Sequence, residues 1–238
     1  MMSKPGYSRV LLKVSGEALT GDQSYGIEPE FLNKIARQIV DLTRLGVQVA
    51  IVIGGGNIFR GMAVAAKGGD RVIGDHMGML GTVINSLALG DAIRRAGGRP
   101  HVFSSVTMPS IADTFTQRAA IAALEGGATV ICAGGTGNPF FTTDTAAALK
   151  AIELRCDVLL KGTKVDGVYS ADPAKDPKAE RFDTISHEEV IARDLRVMDT
   201  AAFALARDNR LPIIVYALET NEGLVGVLEG RAPSTRVG

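Results

Sequence analysis

Short apolar runs alternate along the chain with longer stretches in which apolar residues recur at helical spacing. The short runs have the length of β-strands and are nearly continuous, which is typical of strands covered by helices on both faces. Strands are predicted at 9–14, 47–53, 101 onwards, 129–133, 157–161 and 211–218. Capping signals and helical spacing predict helices that begin near residues 29, 75, 114, 144, 186 and 199. This alternation predicts an α/β fold, a three-layer sandwich with a mostly parallel central sheet between helix layers.

Two segments carry more specific expectations. The helix from residue 75 to about residue 95 is expected to turn five apolar residues inward: Leu80, Val83, Ile84, Leu87 and Ile93. The stretch 162–182 has no sustained apolar period and contains two prolines, so it is interpreted as a long functional loop rather than a linker. We therefore expect a single domain over residues 1–238.

The composition excludes several classes of protein. The 238 residues are 46% apolar and 22% charged, which is ordinary for a globular chain. Lys and Arg number 26, as do Asp and Glu, so there is no basic field for nucleic acid or anionic lipid. The N-terminus lacks the apolar core of a signal peptide, and no apolar run reaches membrane-span length, so we expect a cytoplasmic protein. Cys132 and Cys156 lack metal-ligand spacing and are interpreted as small buried hydrophobic residues.

A glycine-rich turn follows the second predicted strand, in the sequence VAIVIGGGNIFRG at 49–61. It fails the G-x-G-x-x-G dinucleotide motif because Phe59 occupies the position of the last glycine. It also fails the P-loop motif, because Met62 stands where lysine should follow the second glycine. The turn therefore binds phosphate through backbone N–H groups, with Arg60 for charge, or it is a turn without a ligand.

Four predicted strands end in small or charged residues at one edge of the sheet, where open parallel sheets bind ligands. Two of these ends contain a lysine, Lys13 and Lys161. A lone ammonium at the end of a buried strand is costly unless paired, although a lysine can also extend its charged end to solvent. Two lysines beside glycine loops favour a phosphate-lined crevice and phosphoryl transfer, which needs donors that meet the charge on the transferring oxygens.

The segment FFTTDTAA at 140–147 combines hydroxyls with backbone N–H groups at a predicted helix N-terminus, which is an anion-binding arrangement. Asp144 would lie in the first turn, where it either interacts with the helix dipole or orients the lysines or a Mg²⁺–phosphate. Asp75 also begins a predicted helix, and is either a cap or an acceptor for ribose hydroxyls. The three histidines are scattered and receive no role: His76, His101 and His187.

These segments resemble the amino-acid kinase family, and within it the bacterial-type UMP kinases, over almost the whole chain. The resemblance is carried by KVSGEAL at 13–19, VIGGGNIFRG at 52–61, GDHMGMLGTV at 74–83, GTGNPFFTTDTAA at 135–147, LLKGTKVDGVYSADPAKDP at 159–177 and RVMDTAAF at 196–203. It implies the amino-acid kinase (carbamate kinase-like) fold, with an acceptor-binding half at roughly 1–150 and an ATP-binding half at roughly 151–238. It implies transfer of the γ-phosphoryl group of ATP to UMP, giving UDP and ADP, in pyrimidine nucleotide (CTP and UTP) biosynthesis.

The resemblance also implies roles for individual residues. The implied catalytic residues are Lys13, Lys161, Asp144 and Arg60, with the lysines as transition-state stabilisers and Asp144 as their organiser. The implied ATP contacts are Lys13, Val14, Ser15, Gly16, Gly56, Arg60, Thr163, Tyr169 and Asp172. The implied UMP contacts are Gly55, Asp75 (on the ribose), Thr136, Gly137, Asn138, Pro139, Phe140, Phe141, Thr142 and Thr143. Asp199 is implied as a further member of the site, without an assigned role.

Cofactor, assembly and regulation follow from the same resemblance. It implies Mg²⁺ carried on the ATP phosphates without direct protein ligands, and a homohexamer that GTP activates and UTP inhibits. It associates the GTP response with one loop, formed by Gly21, Asp22, Gln23, Ser24, Tyr25 and Gly26. No nucleic-acid or membrane partner is expected.

Two other functions stay open on the same fold. One is a kinase with a carboxylate or carbamate acceptor, and the other is a nucleotide-binding regulator without turnover. For the glycine turn, we expect Gly55 to face the acceptor nucleotide and Gly56 the donor. A bulky side chain at either position should then block transfer while leaving the fold intact.

Overall fold

The computed structural model describes residues 6–21, 23–59 and 68–238. Its strands are β1 Arg9–Val14, β2 Gln48–Ile53, β3 Pro100–Ser104, β4 Asp113–Thr114, β5 Thr129–Ala133, β6 Val158–Thr163, β7 Thr184–Ile185, β8 Ile213–Ala217 and β9 Ser234–Val237. Its helices are α1 Pro29–Arg44, α2 Arg71–Arg95, α3 Gln117–Glu125, α4 Thr143–Glu153, α5 His187–Ala192, α6 Thr200–Asp208 and α7 Gly223–Leu228. A short 3₁₀-helix, Gly16–Thr20, follows β1.

The described strands form one sheet in the order β4-β3-β5-β2-β1-β6-β8-β9-β7. Their pairings are parallel except for that of β8 with β9, which is antiparallel. β1 lies between β2 and β6, and the register places Lys13 directly beside Lys161 of β6. Strands that precede residue 150 lie on one side of β1 and strands that follow it lie on the other. The carboxyl end of β1 is therefore the switch point where such sheets bind ligands.

Apolar residues cover both faces of the sheet. One cluster contains residues of α1, α2 and α7, such as Ile35, Leu89 and Leu224. The opposite cluster contains residues of α3 to α6, such as Ala147 and Phe203. Successive residues of the strands divide between the two clusters, as expected for a pleated sheet buried on both sides. The predicted three-layer α/β fold is confirmed.

The long helix α2 begins earlier than predicted, at Arg71 rather than near residue 75. The Asp70 side chain caps it by accepting a hydrogen bond from the Ile73 N–H at 3.0 Å. This cap was overlooked because the residues around it are not arranged in an apolar period, although Asp is a preferred N-cap residue.

The face of α2 that meets the sheet was also predicted incorrectly in part. Val83 and Ile93 are buried as expected, but Leu80, Ile84 and Leu87 are 52%, 48% and 40% exposed. Besides apolar residues, the inward face of the helix contains small and polar ones, among them Gly74, Gly81, Thr82, Asn85 and Ser86. Hydrophobicity alone selects the wrong side of this helix because both of its sides contain apolar residues.

The C-terminal elements α7 and β9 were not predicted. In β9, Thr235 and Val237 are fully buried while Arg236 is exposed, so the strand alternates with a period of two over four residues. Four residues are too few for such a pattern to stand out in a sequence. Within the part of the chain described here, no helix is long and apolar enough to cross a membrane.

Candidate active site

Lys13 and Lys161 lie side by side at the carboxyl ends of β1 and β6. Their side chains are almost completely buried, with 6% and 8% exposure. Both ammonium groups contact the same oxygen of Asp144, Oδ1, at 2.7 Å from Lys13 Nζ and 2.6 Å from Lys161 Nζ. The structure therefore brings together three of the four implied catalytic residues, and the fourth, Arg60, lies outside the described residues.

Asp144 reaches the lysines because α4 begins beside these strand ends. The Thr142 hydroxyl caps α4 and accepts hydrogen bonds from the N–H groups of Asp144, at 3.0 Å, and Thr145, at 3.3 Å. The following turns contain fully buried alanines, which are Ala146, Ala147, Ala148 and Ala151. Such small side chains let a helix lie close to the sheet, so the first turn of α4 can deliver a short aspartate to the lysines.

Burial and charge oppose each other in this cluster. Burial by itself would raise the pKa of the Asp144 carboxyl, but the two ammonium groups outweigh it and hold that pKa below its usual value. Burial, followed by repulsion from Lys13, lowers the pKa of Lys161 to about 8, although Asp144 acts in the opposite direction. Two cations against one anion leave a positive charge that an anionic phosphoryl group would neutralise.

Asp199 supports this cluster from the N-terminus of α6, which it caps by accepting from the Ala202 N–H at 2.8 Å. Its carboxylate also accepts hydrogen bonds from the hydroxyls of Thr142 and Thr145, the latter at 2.9 Å. A hydroxyl has one proton to donate, so the Thr142 oxygen must present its lone pairs to the N–H groups of α4. Asp199 therefore fixes the cap that positions Asp144, a role that the sequence did not define.

The glycine turn after β2 packs against the turn after β1. The Gly54 N–H donates to the Val14 carbonyl at 2.9 Å. A Cβ on Gly16 would lie 2.5 Å from the Gly54 carbonyl oxygen, and one on Gly54 would lie 2.8 Å from the Gly16 nitrogen. These two glycines are thus required by the contact between the two backbones, with Ser15 between Val14 and Gly16 as the cap residue of the 3₁₀-helix.

Gly55 and Gly56 differ from each other. A Cβ on Gly55 would lie 2.5 Å from the Gly78 carbonyl oxygen of α2, whereas one on Gly56 would be in ordinary contact with the Glu17 side chain at 3.5 Å. A side chain at Gly55 would therefore push α2 away, so the expectation that it leaves the fold intact is wrong. A Cβ on Gly56 would need no such shift, because its contact with Glu17 has an ordinary length.

A pair of buried asparagines fixes the glycine turn from below. Asn57 and Asn85 are 3% and 0% exposed and exchange side-chain hydrogen bonds at 3.0 and 2.6 Å. Asn85 also donates to the Gly54 carbonyl at 2.6 Å, and Asn57 donates to the Gly26 carbonyl at 2.8 Å. The sequence analysis did not identify this pair of asparagines. The indication was Asn85, a polar residue in the middle of a helix face that is otherwise small or apolar.

An open cavity lies beside the glycine turn. Seven of the ten implied UMP contacts line it: Gly55, Asp75, Thr136, Asn138, Phe141, Thr142 and Thr143. Gly137, Pro139 and Phe140 do not line it, although they belong to the same loop. Six further lining residues had received no role in the site: Phe59, Gly74, Gly78, Met79, Thr82 and Gly135. For three of these residues the sequence contained an indication: Gly74, Gly78 and Thr82 recur every four residues, which places small side chains on one face of the helix.

Asp75 occupies one corner of this cavity and is already engaged by protein groups. The Arg71 Nε–H donates to both of its carboxylate oxygens at 2.8 Å, and the Phe140 N–H donates to Oδ2 at 2.7 Å. The Arg71 guanidinium also lies over the Phe140 ring, 5.6 Å from its centroid. Phe140 is 66% exposed and has a positive φ of 71°, which is uncommon for a side chain of this size.

The implied contacts to the ATP base and sugar follow Lys161 along the chain. Thr163 ends β6, and its hydroxyl donates to the Val165 carbonyl at 2.6 Å. Tyr169 donates to Asp166 at 2.6 Å, and Asp172 accepts from the Ala174 N–H at 3.0 Å. These contacts are local, and none of them joins Tyr169 or Asp172 to Lys13, Lys161 or Asp144.

The loop implied in the GTP response lies between the 3₁₀-helix and α1. Of its six residues, Asp22 lies outside the described residues. Gly26 exchanges hydrogen bonds with Asn57, through its N–H at 3.0 Å and its carbonyl at 2.8 Å. Tyr25 is 76% exposed. The loop is therefore bonded directly to the glycine turn of the site.

Comparisons with known proteins agree with this architecture. The model of the amino acid kinase family matches residues 8–217. A uridylate kinase of Brucella anthropi is 59% identical to this chain over 237 residues, covering 100% of this chain and 99% of that protein. A uridylate kinase of Mesorhizobium japonicum is 58% identical with the same coverage.

Solved structures give the same result. The UMP kinase from Bacillus anthracis superimposes with a TM-score of 0.93 at 36% identity, covering 98% of this chain and 96% of that one. The UMP kinase from Ureaplasma parvum superimposes with a TM-score of 0.92 at 33% identity, covering 100% of both. A mostly parallel sheet whose adjacent central strands present two buried lysines at their carboxyl ends suits an α/β enzyme that acts on an anionic substrate. The chain belongs to the amino acid kinase family, and the resemblance seen in its sequence is confirmed.

Proposed function

We propose that the protein transfers the γ-phosphoryl group of Mg-ATP to UMP, giving UDP and ADP, as a step in pyrimidine nucleotide synthesis in the cytoplasm. The observation that carries the proposal is the Lys13–Asp144–Lys161 cluster, since two buried ammonium groups share one carboxylate oxygen at 2.7 and 2.6 Å. The cavity lined by Asp75 and Thr136 extends to Thr142 and Thr143, the two residues that directly precede Asp144. Full-length similarity to proteins named uridylate kinase supports UMP as the acceptor.

The chemistry requires alignment and charge neutralisation. A phosphate monoester is already anionic, so the acceptor needs no general base. Each lysine ammonium has three N–H donors, and Asp144 occupies one from each. The remaining donors of Lys13 and Lys161 would stabilise the charge that develops on the transferring oxygens. Asp144 would keep both ammonium groups at the spacing that this requires.

On the donor side, we assign the ATP phosphates to backbone N–H groups of the turns at Val14 to Gly16 and at Gly56, together with Arg60. We assign Thr163, Tyr169 and Asp172 to the base and sugar. Mg²⁺ would arrive with ATP and supply further positive charge to the phosphate oxygens. Asp144 already accepts hydrogen bonds from two ammonium groups. We therefore propose that the ATP phosphates, and not a set of protein carboxylates, are the ligands of Mg²⁺. Among the described residues, no three His, Cys, Asp or Glu side chains cluster as a metal site.

On the acceptor side, we assign UMP to the loop 136–143, to Gly55 and to Asp75. An ionised carboxylate only accepts hydrogen bonds, so Asp75 suits a ligand group that donates, such as a ribose hydroxyl. The N–H groups of Asp144 and Thr145 are bonded to the Thr142 cap, so we assign the phosphate of the acceptor to the hydroxyl and N–H of Thr143, the first residue of α4. The acceptor half at roughly 1–150 and the donor half at roughly 151–238 would then meet at β1.

We also propose a homohexamer that is activated by GTP, through the loop 21–26, and inhibited by UTP. Self-association is supported by the outward face of α2, where five apolar residues are 40–59% exposed: Ile73, Met77, Leu80, Ile84 and Leu87. Their alternating spacing of four and three residues forms one continuous stripe along the helix, the pattern of helices that pack on each other. The bonds between Gly26 and Asn57 give the loop a direct route to the glycine turn.

The decisive experiment measures ADP release with Mg-ATP and a panel of acceptors: UMP, CMP, dUMP, acetylglutamate and carbamate. We expect turnover with UMP well above that with every other acceptor. Preferential turnover of a carboxylate or carbamate would replace UMP as the substrate, and tight ATP binding without turnover of any acceptor would indicate a regulator. Repeating the UMP assay with GTP and UTP, and measuring the mass in solution, tests regulation and assembly separately.

A further inference from the structure

Arg71 is placed where stability alone does not favour it. It is the first residue of α2, and a cation at a helix N-terminus opposes the helix dipole. Its ion pair with Asp75 runs from Arg to Asp at i to i+4, the less favourable direction on a helix. The Arg71 side chain is also 35% exposed, and ion pairs near the surface contribute little to folding.

Phe140, the second residue that binds the Asp75 carboxylate, has an unfavourable backbone conformation and an exposed side chain. Phe140 has a positive φ of 71° and exposes 66% of its surface, yet its N–H is fixed on Asp75 Oδ2 and its ring lies under the Arg71 guanidinium. Strained and exposed groups that converge on one cavity-lining carboxylate are typical of a binding site. Arg71 thus joins the start of α2 to the loop 136–143 through Asp75 and Phe140.

The charges explain what Arg71 contributes to an anionic ligand. Asp75 lines the cavity with a side chain that is 13% exposed, and a carboxylate there repels an incoming phosphate monoester. The Arg71 Nε–H at 2.8 Å from both oxygens compensates this charge and fixes the plane of the carboxylate. A carboxylate has about four lone-pair positions, and Arg71 with Phe140 leaves capacity for a hydroxyl donor from the ligand.

We propose that Arg71 is a positioning and specificity residue for the acceptor: it orients Asp75 toward the sugar hydroxyls of an anionic nucleotide and offsets the carboxylate charge. This inference rests on the proposed function, because it takes the acceptor to be a nucleoside monophosphate. It assigns Arg71 to binding and to discrimination between ribose and deoxyribose, and it assigns the phosphoryl transfer step to other residues.

The test compares Arg71→Gln with the wild type in steady-state assays with UMP and dUMP. We expect Arg71→Gln to raise KM for UMP about fivefold or more, with kcat and KM for ATP within about twofold. The preference for UMP over dUMP, measured as a ratio of kcat/KM values, should fall several-fold. Arg44→Gln is the matched control, since Arg44 lies on α1, is 67% exposed and also pairs with an aspartate.

Two further variants separate positioning from a purely structural role. Arg71→Lys keeps the charge but loses the planar Nε–H group, so it should restore part of the KM while the UMP to dUMP preference stays reduced. In an Asp75→Asn background, Arg71→Gln should add little, because both changes remove the same interaction. A thermal melt of each variant checks that it is folded, and Arg71→Lys carries the test if Arg71→Gln does not fold.

The outcomes are distinguishable. An unchanged KM for UMP and an unchanged UMP to dUMP ratio in folded Arg71→Gln, with an active wild type, would overturn this inference and leave the proposed function standing. Additive effects of Arg71→Gln and Asp75→Asn would also overturn it. A wild type that does not phosphorylate UMP would refute the proposed function itself, and with it the assignment of Arg71 to that acceptor.

Discussion

Two aspartates mark the two ends of the site, and they are held in different ways. Asp144 bridges two lysines from adjacent strands, and all three side chains are 15% exposed or less. Asp75 is held by an arginine one turn away on its own helix and by the N–H of Phe140, which is 66% exposed. The first corner is fixed by strand register and burial, while the second includes an exposed loop residue.

The difference suggests a division of labour. Replacing one member of a buried charge cluster leaves an uncompensated charge. The lysine corner, formed by Lys13, Asp144 and Lys161, therefore cannot exchange a partner without a large loss of free energy. Asp75 is as buried as Asp144, but its partner Arg71 is 35% exposed, so solvent can compensate the arginine and this pair can accept a ligand hydroxyl at smaller cost. We therefore expect changes at the lysine corner to act on kcat, and changes at the Asp75 corner to act on KM for the acceptor.

The largest effect is expected from removing a lysine. Lys13→Ala or Lys161→Ala should lower kcat at least ~100-fold, as does the loss of a key donor to a transition-state oxyanion. ADP release under saturating ATP and UMP measures this, with the exposed Lys34→Ala as the control of equal charge change. Near-normal kcat in either folded lysine variant would refute the assignment of the lysines.

The lysine corner should also respond to pH. Because the pKa of Lys161 is lowered to about 8, its charge is lost above that value in the free enzyme, and kcat/KM for ATP should fall by about tenfold per pH unit there. Lys161→Arg should lack this decline, since its guanidinium stays charged. A wild-type profile that is flat up to pH 9.5 would contradict the prediction.

The same shift has an opposite consequence for stability. Between the folded pKa of about 8 and the unfolded value of 10.5, the unfolded chain binds the proton more tightly. The contribution of Lys161 to the free energy of unfolding therefore rises with pH across this window. Denaturant titrations at several pH values, on the wild type and Lys161→Met, isolate this contribution as a difference in slope.

An intermediate effect is expected at Asp199. Asp199→Asn places an N–H group against the Thr142 hydroxyl, which then accepts a hydrogen bond where it donated one before. The Thr142 oxygen is no longer committed to the N–H of Asp144, so the position of Asp144 becomes less defined. We expect kcat to fall by about 20-fold with KM values little changed. Thr116→Ala removes the cap of α3, which lines no part of the cavity, and should lower the free energy of unfolding by about 1 kcal/mol with normal kcat. Equal kinetic behaviour of the two variants would mean that Asp199 is only a cap.

The smallest effect is expected at the other corner. Asp75→Asn should raise KM for UMP about tenfold, since it loses a charged acceptor for the ribose, while kcat changes less. Substrate titrations of UMP at fixed ATP, and of ATP at fixed UMP, measure the two KM values. An increase confined to KM for ATP would show that Asp75 binds ATP and not the acceptor. The expectation that the Asp75 corner acts on acceptor binding would then be wrong.

Much of the architecture followed from the sequence. Apolar runs of strand length gave the central strands and the two helix layers, because periodicity records which residues must be buried. The same reasoning was less successful for α2, because its inward face mixes small and polar residues with apolar ones and its exposed face contains Leu80 and Ile84. Hydrophobicity cannot distinguish a face that packs in the core from one that lies on the surface of a single chain.

The sequence by itself determined the α/β class, the lysines at strand ends and the anion-binding start of α4, since each depends on residues that are close along the chain. Only the tertiary structure decided that Lys13 lies beside Lys161 and that both contact Asp144. It alone showed that Gly55 is required by α2, and that Arg71 and Phe140 meet on Asp75. The physical reason is that strand order and helix packing decide which distant side chains meet, and local patterns do not contain that information.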